Sequence, residues 1–88
     1  MTAPKVEVMY VIHVTIDGQA QVIGNLGVER GGRGWFVVST VGDGWSGQAR
    51  CRSRKQARAA CAKMRAEMNA EWAADPFTRG CRASPVPP

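Results

Sequence analysis

Hydrophobic and polar positions alternate along residues 6–16, VEVMYVIHVTI. Val6, Val8, Tyr10, Ile12, Val14 and Ile16 fall on one side of an extended chain, with Glu7, Met9, Val11, His13 and Thr15 on the other. This period of two predicts a long strand with an apolar inner face. Asp17-Gly18 is a two-residue hairpin signal, because both positions tolerate positive φ. Beyond it, Ala20, Val22, Leu26 and Val28 hold the same period through QAQVIGNLGVE. Gly24 and Gly27 mark this second strand as weaker and prone to bulge. RGGRG at 30–34 reads as a turn.

WFVVSTV predicts a third strand, and Asp43-Gly44 a second tight turn into a fourth. With Asp43 and Gly44 as loop residues, Thr40 faces Gly47, Val38 faces Ala49 and Phe36 faces Cys51 on the core side. Trp35 then faces Arg52, Val37 faces Arg50 and Ser39 faces Gln48 on the outer side. A slip of one residue would turn Arg50 and Arg52 inward, which the cost of burying charge opposes.

Ser53 followed by Gln56 has the form of a capping box, opening a helix over RKQARAACAKMRAEMNAEWAA. Ala57, Ala60, Cys61, Met64 and Met68 recur at spacings of three and four, a narrow stripe of mostly small residues suited to lying close on a sheet. Arg54, Arg58 and Arg65 flank that stripe on one side, with Glu67 and Glu71 on the other. Asp75-Pro76 stops the helix, and FTRGCRASPVPP has no periodicity. The expected organisation is one small domain over 1–75 and a disordered Pro-rich tail over 76–88. The fold class is α+β: an antiparallel sheet of three to four strands with one C-terminal helix packed on one face, the other face left open.

Composition adds a partner class. The 88 residues carry 12 Lys and Arg against 7 Asp and Glu, a net charge of +5, with the basic residues concentrated at or after Arg30. Such an asymmetry suits an acidic partner such as nucleic acid, or a solvated helix face. No apolar run is long enough to span a bilayer and no signal-peptide pattern opens the chain, so a cytoplasmic protein without membrane contact is expected. Cys51, Cys61 and Cys81 are odd in number and widely spaced, which fits reduced thiols better than a disulfide framework. With His13 they lack the paired short spacings of zinc motifs, so neither a metal nor another cofactor is expected.

Catalytic chemistry finds no support in the spacing. His13 is the sole histidine, no nucleophile motif accompanies it, and the seven carboxylates do not converge. ERGGRG lacks the Lys-Ser/Thr of a P-loop. The chain therefore reads as a non-enzymatic binding module. Arg33, Trp35, Arg50, Arg52, Arg54 and Arg58 are the candidate nucleic-acid contacts, since arginines neutralise phosphates and reach base edges while an indole packs on sugars or bases. An equal alternative is that Trp35 and Arg52 form a cation-π pair that only shields the sheet.

GWFVVSTVGDGWSGQARCRSRKQARAA resembles the AP2-like DNA-binding module, also found as the arm-binding domain of phage-type integrases. Gly34-Trp35 stands near the Gly-x-Trp strand opening, Ser53 at the threonine, Gln56 at the glutamate and Ala57 at the first alanine of the helix start. The resemblance implies an exposed sheet face entering the major groove of double-stranded DNA, through Trp35, Arg50 and Arg52. Cys51 replaces the motif's aromatic, Arg58 replaces its second alanine, and the hairpin from Val6 to Val28 is additional. A second expectation is a phage or mobile-element inhibitor that grips a host protein, or its own copy as a homodimer, through Met9, Val11 and His13 on the outer side of strand one.

Overall fold

Val6–Ile16 (β1) and Gln19–Gly31 (β2) form the long hairpin that the alternation requires. Asp17 and Gly18 turn it with φ of 51° and 79°, the two positive values of a type I′ turn. Gly34–Val41 (β3) and Gly44–Cys51 (β4) add a second hairpin, and the helix Arg54–Ala74 (α1) follows. The computed structural model describes residues 6–32, 34–41 and 44–87, with residues 44–49 described by their backbone.

The fold is α+β, one antiparallel sheet with one helix across it, and its sheet has five strands. Cys81–Pro85, inside the stretch expected to be a disordered tail, forms β5 and pairs with β1, giving the order β4-β3-β2-β1-β5. Helix α1 thus carries the chain from the β4 edge, over one face, to the far edge. Twenty-one residues at 1.5 Å each span about 30 Å, enough to cross five strands diagonally. Residues 76–80 fold into a compact turn in which Thr78 Oγ1 donates to the Trp72 carbonyl and Cys81 N–H to Thr78. Periodicity could not reveal five residues whose strand exists only because β1 offers an open edge. Their exposed edge is covered in turn: the Asn69 side chain accepts from Ala83 N–H at 2.8 Å and donates to Ala83 C=O at 3.0 Å, and Arg65 Nε donates to the same carbonyl at 3.0 Å.

Two bulges set which side chains meet the helix. Val8 pairs with Gly27 and Tyr10 with Leu26, so Met9 is an extra residue on β1; Ile12 pairs with Gly24 and His13 with Val22, so Ile23 is extra on β2. Met9 and Tyr10 both pack against the core under α1. Before the bulge the alternation is therefore inverted: Glu7, expected outside, reaches the helix, while Val8, expected inside, is 41% exposed. A Cβ on Gly27 would run into the Glu7 carbonyl oxygen, and one on Gly24 into that of Thr40, so these two glycines let neighbouring strands approach.

The second hairpin corrects the expected register. Val41 pairs with Gly44, Thr40 with Trp45 and Val38 with Gly47; after an extra residue in β4, Phe36 pairs with Arg50 and Trp35 with Cys51. Gly44 is thus a strand residue rather than a turn residue, and Asp43 lies outside the described residues. Pairing with β2 turns Trp35 and Val37, expected on the outer side, toward the helix, and Phe36 and Val38, expected on the core side, away from it. The extra residue in β4 then sets Cys51 rather than Arg50 opposite Trp35 and leaves Arg50 exposed opposite Phe36. The charge cost that argued against a slip is thereby avoided.

Leu26, Val28 and Val37 from the sheet and Ala57 and Cys61 from α1 form the buried centre, ringed by Ala60, Met64, Met68, Trp35 and Cys51. Each buried Val or Leu side chain contributes about 1.5–3 kcal/mol. Ser53 caps α1 as its sequence predicts, its hydroxyl accepting from Gln56 N–H at 3.1 Å, while Gln56 Oε1 accepts from Arg52 N–H at 3.0 Å.

Candidate functional site

The Gly-rich connection between β2 and β3 determines what gathers at this end of the sheet. Gly31 pairs with Gly34 and Gly32 has φ +53°, a turn tight enough to place Arg30 directly opposite Trp35. Arg52 follows the last residue of β4, whose Cys51 is Trp35's other partner. Arg30, Trp35 and Arg52 consequently line one cleft of about 260 Å³ together with Gly32 and Gly34. Among the described residues, neither Arg30 nor Arg52 has a carboxylate within ion-pair distance, and both are exposed. Arg30 was absent from the sequence candidates. Its signal was its position across a short glycine turn from Trp35.

Of the sequence candidates, Arg33 lies outside the described residues. Trp35 is half-buried and faces the helix side rather than the open face shared with Arg50. Arg50 is exposed on that open face, its side chain lying against Gly34. The continuous outward surface of Trp35, Arg50 and Arg52 expected from the simple register is therefore divided between the sheet's open face and its end.

Arg54 and Arg58, at the start of α1, are held by one carboxylate. Arg54 donates from Nε to Glu7 Oε2 at 2.8 Å and from Nη2 to Oε1 at 2.6 Å, and Arg58 Nη1 also donates to Oε1. The Met9 bulge is what turns Glu7 toward them. The Arg54 hydrogen bonds, opposed by partial desolvation and aided by the charges of Arg54 and Arg58, hold the Glu7 carboxyl below its ordinary range. The same bonds push the Arg54 guanidinium further up. Arg65, on the same helix flank, stacks over the Tyr10 ring with 5.1 Å from its Cζ to the ring centroid. A flank that the sequence presents as a basic stripe is thus turned largely toward β1 and β5.

The alternative set also divides. Met9 packs inward at its bulge and leaves the proposed outer surface. Val11 is half-buried between Asn25 and Ser84. His13 is half-buried with Nε2 at 3.1 Å from Ser84 Oγ, while its Nδ1 is buried without a partner among the described residues. Val8, Gly27 and Val38 align across three strands on the side away from α1, where Val8 is 41% exposed and Gly27 and Val38 are buried.

No group of three or more His, Cys, Asp or Glu side chains among the described residues is arranged to hold a metal ion. No described helix is long and apolar enough to cross a membrane. No family model, curated protein or solved structure matches this chain.

Proposed function

We propose that the protein is a non-enzymatic nucleic-acid-binding module whose contact surface is the end of the sheet at the β2–β3 turn, continued by Arg50 on the open face. The observation that carries this reading is the cleft shared by Arg30, Trp35 and Arg52. Two guanidiniums without carboxylate partners among the described residues, beside an indole, supply what a polyanion with flat bases needs: charge to displace counterions, and an aromatic surface for a sugar or base. Gly32, beside which nothing lies within 4 Å of where a side chain would start, allows a phosphate to come close.

Double-stranded DNA is the first ligand in this reading, in keeping with the AP2-like resemblance of residues 32–61, although the groove-facing surface is rearranged. Helix α1 occupies the opposite side of the sheet from Arg50, so Arg50 stays accessible to a broad ligand. Fluorescence anisotropy with labelled duplex and single-stranded DNA tests it. Wild type binds, and Arg30→Ala/Arg52→Ala loses at least tenfold in affinity; equal binding by the double variant would defeat the assignment.

A protein partner on the sheet is the second reading, favoured by Val8 and Val22, which are 41% and 68% exposed. Exposed valines on a sheet suit a host protein or a second copy better than they suit a polyanion. Complex or dimer formation without DNA binding would select it.

A further inference from the structure

At the end of the sheet away from the β2–β3 turn, β1, the last turns of α1 and the turn into β5 enclose a cleft of about 470 Å³. Arg79, Arg82, His13, Thr15 and Asn69 line it together with small residues of α1, and no carboxylate is among its lining residues. Arg79 and Arg82 are both exposed, and neither makes an ion pair with a described residue. Two like charges are thus placed on one concavity whose described lining holds no carboxylate. His13, also on the lining, has a buried Nδ1 without a partner among the described residues. The carbonyls of the helix end would repel an anion, but that of Trp72 already accepts from Thr78 Oγ1 and Asp75 N–H.

We propose that this cleft is a binding site for a small phosphate-bearing molecule. Arg79 and Arg82 neutralise the phosphate, and Thr15 at the edge of β1 supplies a polar contact. Ala70, Ala73 and Gly80 leave room for the apolar part of the molecule. Phosphate suits the site better than a monoanionic carboxylate, because it carries more charge and more acceptor oxygens to share between two guanidiniums. The site is separate from the proposed nucleic-acid surface: the length of α1, about 30 Å, lies between them.

The test is a titration of the full chain with inorganic phosphate and with glycerol phosphate at constant ionic strength. Backbone amide shifts of Thr15, Ala73, Gly80 and Arg82 and the imidazole nitrogen shifts of His13 are the readout. Saturable shifts at these positions are expected, stronger with glycerol phosphate, at least tenfold weaker in Arg79→Ala/Arg82→Ala, and partly restored in the Arg79→Lys/Arg82→Lys variant. DNA affinity of the alanine variant should stay within twofold of wild type. Linear, unsaturated shifts, equal affinity of the alanine variant, or equally tight binding of acetate would each overturn the proposal. If the phosphates bind only through Arg30 and Arg52, with shifts at the β2–β3 turn and none at Gly80, the cleft is not the site. Unchanged amide spectra elsewhere in each variant establish that the fold is intact.

Discussion

Glu7 and Arg54 meet as a two-point pair, carboxylate against guanidinium, at 2.8 and 2.6 Å across 47 residues of sequence. The contact exists because a single extra residue at Met9 turns Glu7 toward α1, and it fixes the start of the helix on β1. Arg58 joins at the same oxygen, so one carboxylate orients the first two turns of the helix.

Acid should weaken this tie. The Glu7 carboxyl is held below its ordinary value of 4.5 in the folded chain, so the folded state takes up its proton less readily than the unfolded one. The stability it contributes is present above that value and is lost as pH falls through the lowered folded one. Urea midpoints of wild type and Glu7→Gln should therefore differ near neutral pH and converge as the solution is acidified. A gap that persists in strong acid would show that Glu7 acts through something other than its charge.

Glu7 also occupies the guanidinium fork much as a phosphate would. Glu7→Gln should release Arg54 and Arg58, raising DNA affinity and steepening its salt dependence by about 0.9 in log–log slope for each arginine that reaches a phosphate. An unchanged slope would place these arginines outside the contact surface.

Gly27 tests the bulged hairpin. A methyl group there meets the Glu7 carbonyl, which cannot move without opening the β1–β2 ladder. Gly27→Ala should cost roughly 1–3 kcal/mol in chemical denaturation, comparable to overpacking a core. Gly18→Ala meets no atom, and its cost comes from backbone strain at φ 79° alone. A neutral Gly27→Ala would contradict the register of Val8 with Gly27.

Cys61 should be the slow thiol. Burial pushes it up to about 11, with the Arg58 charge opposing in part, so its thiolate fraction is roughly a hundredfold below that of a thiol at 9.0. Under iodoacetamide at mildly alkaline pH, mass spectrometry should find Cys51 and Cys81 labelled first, with Cys61 catching up once urea is added. Early labelling of Cys61 would place it outside the core.

The class of fold was legible because its signals are local. Ser53 and Gln56 mark the helix start, Asp17-Gly18 the first turn, and the stripe from Ala57 to Met68 the buried side of α1. Irregularities were not legible, since a bulge is one residue without a composition of its own. Met9 alone moved Glu7 from the outer surface to the helix, and the extra residue in β4 set Cys51 instead of Arg50 opposite Trp35, which β2 had already turned to the helix side. Residues 81–85 form a strand only because β1 has an edge to pair with and Asn69 seals the other side. The candidate site inherited these shifts: Arg52 and Trp35 stayed neighbours, Arg30 joined them, and Arg54 and Arg58 were taken up by Glu7.

The most direct test of the nucleic-acid reading is the salt dependence of duplex binding by wild type and by Arg30→Ala/Arg52→Ala. Wild type should lose affinity steeply between about 50 and 200 mM salt, and the double variant should bind more weakly with a slope shallower by about 1.8, the loss of two phosphate contacts. Binding that is insensitive to salt, or identical slopes for the two proteins, would contradict a polyanion at the Arg30–Trp35–Arg52 cleft.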